Sequence, residues 1–153
     1  MKKRILLNVI VLITIVSCGF IAKHSYQKTL LPKTLRNFYL GMELADFSKI
    51  KDLEKLEKYD AFNFRVEYAE KFKDAEIKEV TYYFTKEKPQ ILYEFIIEYQ
   101  SNVNVPFLAK ERYGKPNSDE EWLFDSREGF DIKIWTFNQT IVVAGKLPGT
   151  EWE

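Results

Sequence analysis

The chain has 153 residues, 46% of them hydrophobic and 16% aromatic, and its 23 basic side chains balance its 23 acidic ones. That length serves one domain, the aromatic content argues for folded, β-rich structure over disorder, and the balanced charge gives nucleic acid no electrostatic purchase. The single Cys, at position 18, and the single His, at position 24, exclude an internal disulfide framework and, within the folded part, a His/Cys metal cluster or a Cys–His or Ser–His nucleophile.

Lys2, Lys3 and Arg4 precede an apolar stretch, residues 5–17, interrupted by Asn8 and Thr14 and followed by Cys18. A basic start, an apolar run and small residues read as an export leader. Ile15, Val16, Ser17 and Cys18 together resemble the lipobox of bacterial lipoproteins, which implies that Cys18 is the lipidated first residue of the mature chain. A second reading stays open: Gly19, Phe20, Ile21 and Ala22 extend the run to 18 residues, about the lower limit for an uncleaved membrane-spanning helix. Either way, residues 1–22 are a lipoprotein signal or anchor, the basic residues stay on the cytoplasmic side, and the chain from residue 23 faces the periplasm or the cell exterior. That exported part carries 20 basic and 23 acidic residues, and with no Cys beyond position 18 its stability must come from packing.

Residues 23–37 show no strong period and contain Pro32, which reads as a tether, with one α+β domain over residues 38–153. Beyond Gly41, Leu44, Phe47, Ile50, Leu53 and Leu56 recur every three positions within residues 42–58. At 100° per residue such a stripe spirals around a helix, so two short helices with a break near Lys51, or a tightened last turn, are expected. Phe62, Phe64, Val66 and Tyr68 alternate with polar residues as in a half-buried strand, and residues 77–85 and 90–100 follow as two more strands in antiparallel hairpins. Asn104 and Pro106 mark a helix start and Gly114 and Pro116 its end. Residues 120–125, 130–137 and 140–147 then read as three strands, with turns at residues 126–129 and at Asn138 and Gln139.

Helix, three strands, helix, three strands suggests two α-β-β-β units, near residues 41–100 and 104–147, joined into one antiparallel sheet with short helices on one face. Gly41-Met42 at a helix opening, and Gly114-Lys115-Pro116 ahead of a Trp122-bearing strand, resemble motifs of the small outer-membrane lipoproteins of the SmpA/OmlA (BamE) type, related to the tandem fold of β-lactamase inhibitory proteins. The resemblance implies an envelope lipoprotein that acts by protein contact, as an assembly accessory or as an inhibitor, and carries over no catalytic residue.

The remaining polar residues support no catalytic assignment, cofactor or metal. Glu94 and Glu98 share a strand face and could in principle serve as an acid and a base, but exposed polar positions are the plainer reading. Asp119, Glu120 and Glu121 lack a calcium-loop pattern and read as a solvated turn. Trp122 and Trp135 read as sheet core, whereas Trp152 ends a tail with a Pro148-Gly149 turn and either folds back or awaits a partner. The expected function is therefore a noncatalytic protein-binding or adaptor lipoprotein that contacts an envelope protein through Trp152, Tyr99, Glu94 and Glu98. The alternative is a secreted-side inhibitor or a site for a small apolar ligand held between helices and sheet.

Overall fold

The structure is a computed structural model that describes residues 25–126 and 129–152. The apolar leader, Cys18 and His24 lie outside the described residues. Among the described residues no helix is long and apolar enough to cross a membrane.

The molecule is α+β, with a seven-stranded, wholly antiparallel sheet and a few short helices. In chain order the elements are α1 (Ser25–Leu30), α2 (Leu44–Ile50), β1 (Glu57–Tyr59), β2 (Arg65–Lys71), β3 (Ile77–Thr85), β4 (Leu92–Tyr99), α3 (Val105–Tyr113), β5 (Trp122–Asp125), β6 (Asp131–Phe137) and β7 (Thr140–Gly145). The strands lie in the order β1-β2-β3-β4-β7-β6-β5, so β4 and β7 meet in the middle.

One line of paired positions explains the core: Tyr68, Tyr82, Phe95, Val143, Ile134 and Trp122 stand side by side across six strands. All are buried, and the helices close over them. Phe47 of α2 is fully buried, its ring centroid 4.9 Å from those of Phe38 and Tyr82 and 5.2 Å from that of Phe84. In α3 the positions i, i+4 and i+8, Val105, Ala109 and Tyr113, form the buried stripe. This helix begins where the Asn104 side chain accepts the Phe107 N–H (3.1 Å) and stops at Gly114, whose φ of +79° favours glycine. Each such side chain contributes roughly 1.5–3 kcal/mol when fully buried.

The three-residue spacing after Gly41 has the consequence its geometry demands. Helix α2 ends at Lys51, which is extended (φ −120°, ψ 131°), and a 3-10 turn, Leu53–Lys55, follows with Asp52 capping it through the Glu54 N–H. The chain then does not continue as helix to residue 58: Glu57–Tyr59 pairs with β2 as an edge strand, all three residues exposed. Strand β2 begins at Arg65, which leaves Phe62 and Phe64 outside it and 44% and 40% exposed.

The expected tether is corrected over its described part. Residues 25–42 form a strap packed on the core: α1, a 3-10 turn at Lys33–Leu35, and buried Leu30, Leu31, Leu35, Phe38, Leu40 and Met42. Within it the Leu40 N–H bonds to Gln27 Oε1 (2.9 Å), and it is tied to the rest of the fold by the Tyr113 hydroxyl on the Leu30 carbonyl (2.9 Å), the Gly41 N–H on the Leu92 carbonyl (2.7 Å) and the Leu92 N–H on the Met42 carbonyl (2.8 Å). At the opposite edge, Asn117 bonds both the N–H and the carbonyl of Leu123 (2.8 and 2.9 Å), which blunts β5 as a template for another strand.

Candidate functional site

The face of the sheet away from the helices is built differently. Its central line of paired positions runs Tyr59, Glu67, Tyr83, Glu94, Ala144, Lys133 and Leu123 across all seven strands. A register shift steers β4 into this arrangement. Phe84 pairs with Leu92 and Tyr83 with Glu94, which leaves Tyr93 as an extra residue. Leu92 and Phe95 therefore both reach the core, while Tyr93 and Glu94 are both assigned to the other face.

The C-terminal tail covers this face. Lys146 N–H still bonds to the Asp131 carbonyl (2.8 Å), and a turn through Pro148 and Gly149 (φ +77°) then closes with the Thr150 N–H on the Leu147 carbonyl (3.2 Å). The turn returns Glu151 and Trp152 to the sheet. Glu151 accepts from Arg65 Nη1 with both oxygens (2.9 and 3.1 Å), and the Trp152 indole N–H donates to Glu94 Oε2. The Trp152 ring meets that of Trp135 edge-on, centroids 5.0 Å apart, and Lys133 lies over both indoles at 5.5 and 5.9 Å.

Arg65 is the hub on one side. Its Nε bonds to Glu67 (2.7 Å), and its guanidinium lies 4.1 Å from the Tyr83 centroid, 4.3 Å from that of Phe62 and 5.2 Å from that of Phe64. Aromatic faces and two carboxylates hold one orientation of a long side chain that would otherwise sample many. Lys133 on the other side is held by Glu121 (2.9 Å).

Glu94 lies between them, 3% exposed. Burial pushes its carboxyl up to about 7, the Trp152 hydrogen bond and Arg65 work against the shift, and the carboxylates of Glu151 and Glu67 add to it. Burial likewise raises Tyr83 to about 12 and raises Tyr93, whose hydroxyl has no hydrogen-bond partner among the described residues. A carboxyl near 7 suits proton transfer, and in this arrangement an indole caps it.

Of the residues singled out from the sequence, Glu94 and Trp152 come together, and Glu94 is buried rather than exposed as expected. Trp152 folds back. Glu98 pairs with Lys78 (2.6 Å) farther along β4 and takes no part in the cluster. Tyr99 belongs to the helix side: it is 1% exposed and its hydroxyl accepts from Arg112 (3.0 Å), so it cannot be a contact residue. Trp122 is core, whereas Trp135 is partly exposed on the helix-free face. Asp119 and Glu120, with φ of 42° and 68°, form the turn between the bridged Ser118 and Glu121. Among the described residues no three His, Cys, Asp or Glu side chains gather as a metal site would need. Sequence reasoning missed Arg65, Glu67, Tyr83, Lys133 and Glu151. The signal available for the first was an arginine directly after Phe62-Asn63-Phe64 in an alternating run.

Two clefts flank the tail. One of about 350 Å³ is lined by Glu121, Leu123, Lys133, Glu151 and Trp152, and one of about 340 Å³ by Phe64, Thr85, Pro89, Pro148 and Gly149. A larger cleft, about 680 Å³, lies on the helix side between α3 and the β5–β6 hairpin, with Pro106, Lys110, Gly114, Trp122 and Thr136 in its walls.

Compared with protein-family models, with curated proteins and with solved structures, the chain matches none.

Proposed function

We propose that this chain is a noncatalytic binding module, held at the outer side of a bacterial-type membrane by residues 1–22, and that it contacts an envelope protein through the helix-free face of its sheet. The observation that carries the reading is the row of oriented charged and aromatic side chains on that face, with Arg65 locked among three rings and two carboxylates. Anchors of this kind, rigid and aromatic or guanidinium in type, supply most of the energy of protein interfaces because they lose little entropy on contact. In this reading the sheet joins a first unit, α2 with β1–β4, to a second, α3 with β5–β7, along β4 and β7; apart from the added edge strand β1 this is the pair of α-β-β-β units that the likeness to envelope lipoproteins of the SmpA/OmlA (BamE) type implies.

Intact-mass analysis of the membrane-extracted protein tests the anchor. A mass that starts at Cys18 with added acyl groups, lost in Cys18→Ala, is expected for a lipoprotein. A start at Met1 removes lipidation and leaves the uncleaved span.

The second reading is a small-ligand site between helix and sheet, favoured by the 680 Å³ cleft beside Trp122. Widening that cleft by Thr136→Ala with no effect on any bound small molecule in native mass spectra counts against it.

A further inference from the structure

We infer that the helix-free face is a built receptor for a carboxylate next to an indole, filled here in cis by Glu151 and Trp152, and that a partner protein presenting an Asp-Trp or Glu-Trp segment displaces the tail. The inference deepens the proposed binding role and rests on it for the existence of a partner.

Two side chains of the tail, Glu151 and Trp152, reach the sheet. The Thr150 N–H bonds to the Leu147 carbonyl and the Trp152 N–H to Thr150 Oγ1 (3.4 Å), both within the tail. The ties to the sheet include the Glu151–Arg65 pair, the Trp152–Glu94 bond, the edge-on contact of Trp152 with Trp135 and Lys133 over the Trp152 ring. Recognition of two adjacent side chains is portable, because any extended segment with the same pair meets the same groups.

The receiving half is arranged without the tail. Glu67 and the rings of Phe62, Phe64 and Tyr83 orient Arg65, Glu121 holds Lys133, and the sheet itself sets Glu94. Preorganisation of this kind lowers the ordering cost of binding.

The occupant must also bring a donor. With the tail in place Glu94 is buried, and the donor it receives is the indole N–H of the tail, so an occupant that covers this carboxyl without donating to it leaves it unsatisfied. Charge and shape favour the occupant: Arg65 takes both oxygens of an acid, and Lys133 lies over the indole ring, so an acidic-aromatic segment fits. Gly149, at φ +77°, supplies the joint at which the tail can swing away.

The test uses the full chain in detergent and a dye-labelled probe peptide, Pro-Gly-Thr-Glu-Trp amide, with Pro-Gly-Thr-Gln-Ala amide as control. Emptying the site by E151A/W152A is expected to strengthen probe binding at least tenfold over wild type, since a tethered competitor acts at roughly millimolar effective concentration. Adding Arg65→Ala to that variant is expected to abolish the gain. No probe binding to E151A/W152A, or equal binding of probe and control, overturns the inference.

Should that variant fold poorly, the wild type still answers. Excess probe is expected to move the Trp152 indole N–H resonance while that of the core Trp122 reports an intact sheet, and an unmoved Trp152 signal overturns the inference. A wild-type dimer that the probe dissolves in sedimentation assigns the face to tail exchange between two copies and overturns the partner assignment. Probe binding with no envelope partner recovered from crosslinked membranes breaks the proposed function and leaves the receptor, whereas a recovered partner with no probe binding does the reverse.

Discussion

Two adjacent lines of the same sheet have opposite chemistry. The line Tyr68, Tyr82, Phe95, Val143, Ile134, Trp122 is sealed under helices, and the next one, Glu67, Tyr83, Glu94, Ala144, Lys133, Leu123, is covered in part by Glu151 and Trp152 of the tail. The strands supply both because successive residues point to opposite faces. The first line is energetically self-sufficient: its apolar groups need only one another. The second holds a buried acid whose hydrogen-bond donor arrives from the end of the chain, beside an arginine that divides its carboxylate partners between Glu67 and Glu151. The lesson is that one face fixes the fold and leaves the other free to be specialised.

The comparison can be broken at its strong side first. Phe47→Ala removes a fully buried ring against Phe38, Tyr82 and Phe84, and a loss of about 3–5 kcal/mol is expected from urea unfolding. A loss below about 1 kcal/mol would mean that the helix side is not the source of stability.

The helix-free side has a pH signature of smaller size. Glu94 is raised from 4.5 to about 7 in the folded chain, so its contribution to stability is full below the unfolded value and is lost as pH rises through the folded one. Stability should therefore decline between about pH 4.5 and 7 through this group, by an order of about 3 kcal/mol. Glu94→Gln keeps an acceptor for the indole and does not ionise, so the variant's stability relative to wild type should rise by that amount from pH 4.5 to 8. Parallel pH curves for the two proteins would show that the carboxyl is not buried under the tail.

The smallest effect concerns Phe137, 67% exposed beside the β6–β7 turn. Phe137→Ser should change the unfolding free energy by less than about 0.5 kcal/mol, because it lies on neither line. A larger change would mean that the turn contributes to the core.

What the sequence made legible follows from how local each signal was. Strand β3 and helix α3 are framed by their own residues: alternation in residues 77–85, and the Asn104 cap with Gly114 as the stop. The break at Lys51 was legible because a three-residue stripe cannot stay on one side of a straight helix. The strap of residues 25–42 was not, since its leucines are buried one by one along an irregular path and leave no period. Strand β1 carries three exposed residues and therefore no alternation. The candidate site was half legible. Glu94 and Trp152 stood out singly, but the burial of Glu94 needs a residue 58 positions away and an extra residue in β4, and neither is visible in a local window. Arg65 and Glu67 read as solvated charges until the tail is placed over them.

The claim that the helix-free face is the working surface is tested most directly by a photo-crosslinking residue placed, one at a time, at two exposed apolar positions of the full chain in its own membrane. Leu123 lies on the helix-free face and is 40% exposed, and Phe107 lies on α3 and is 59% exposed. The account predicts a discrete adduct with an envelope protein from position 123, weakened by Arg65→Ala, and none from position 107. An adduct from position 107 alone would contradict it.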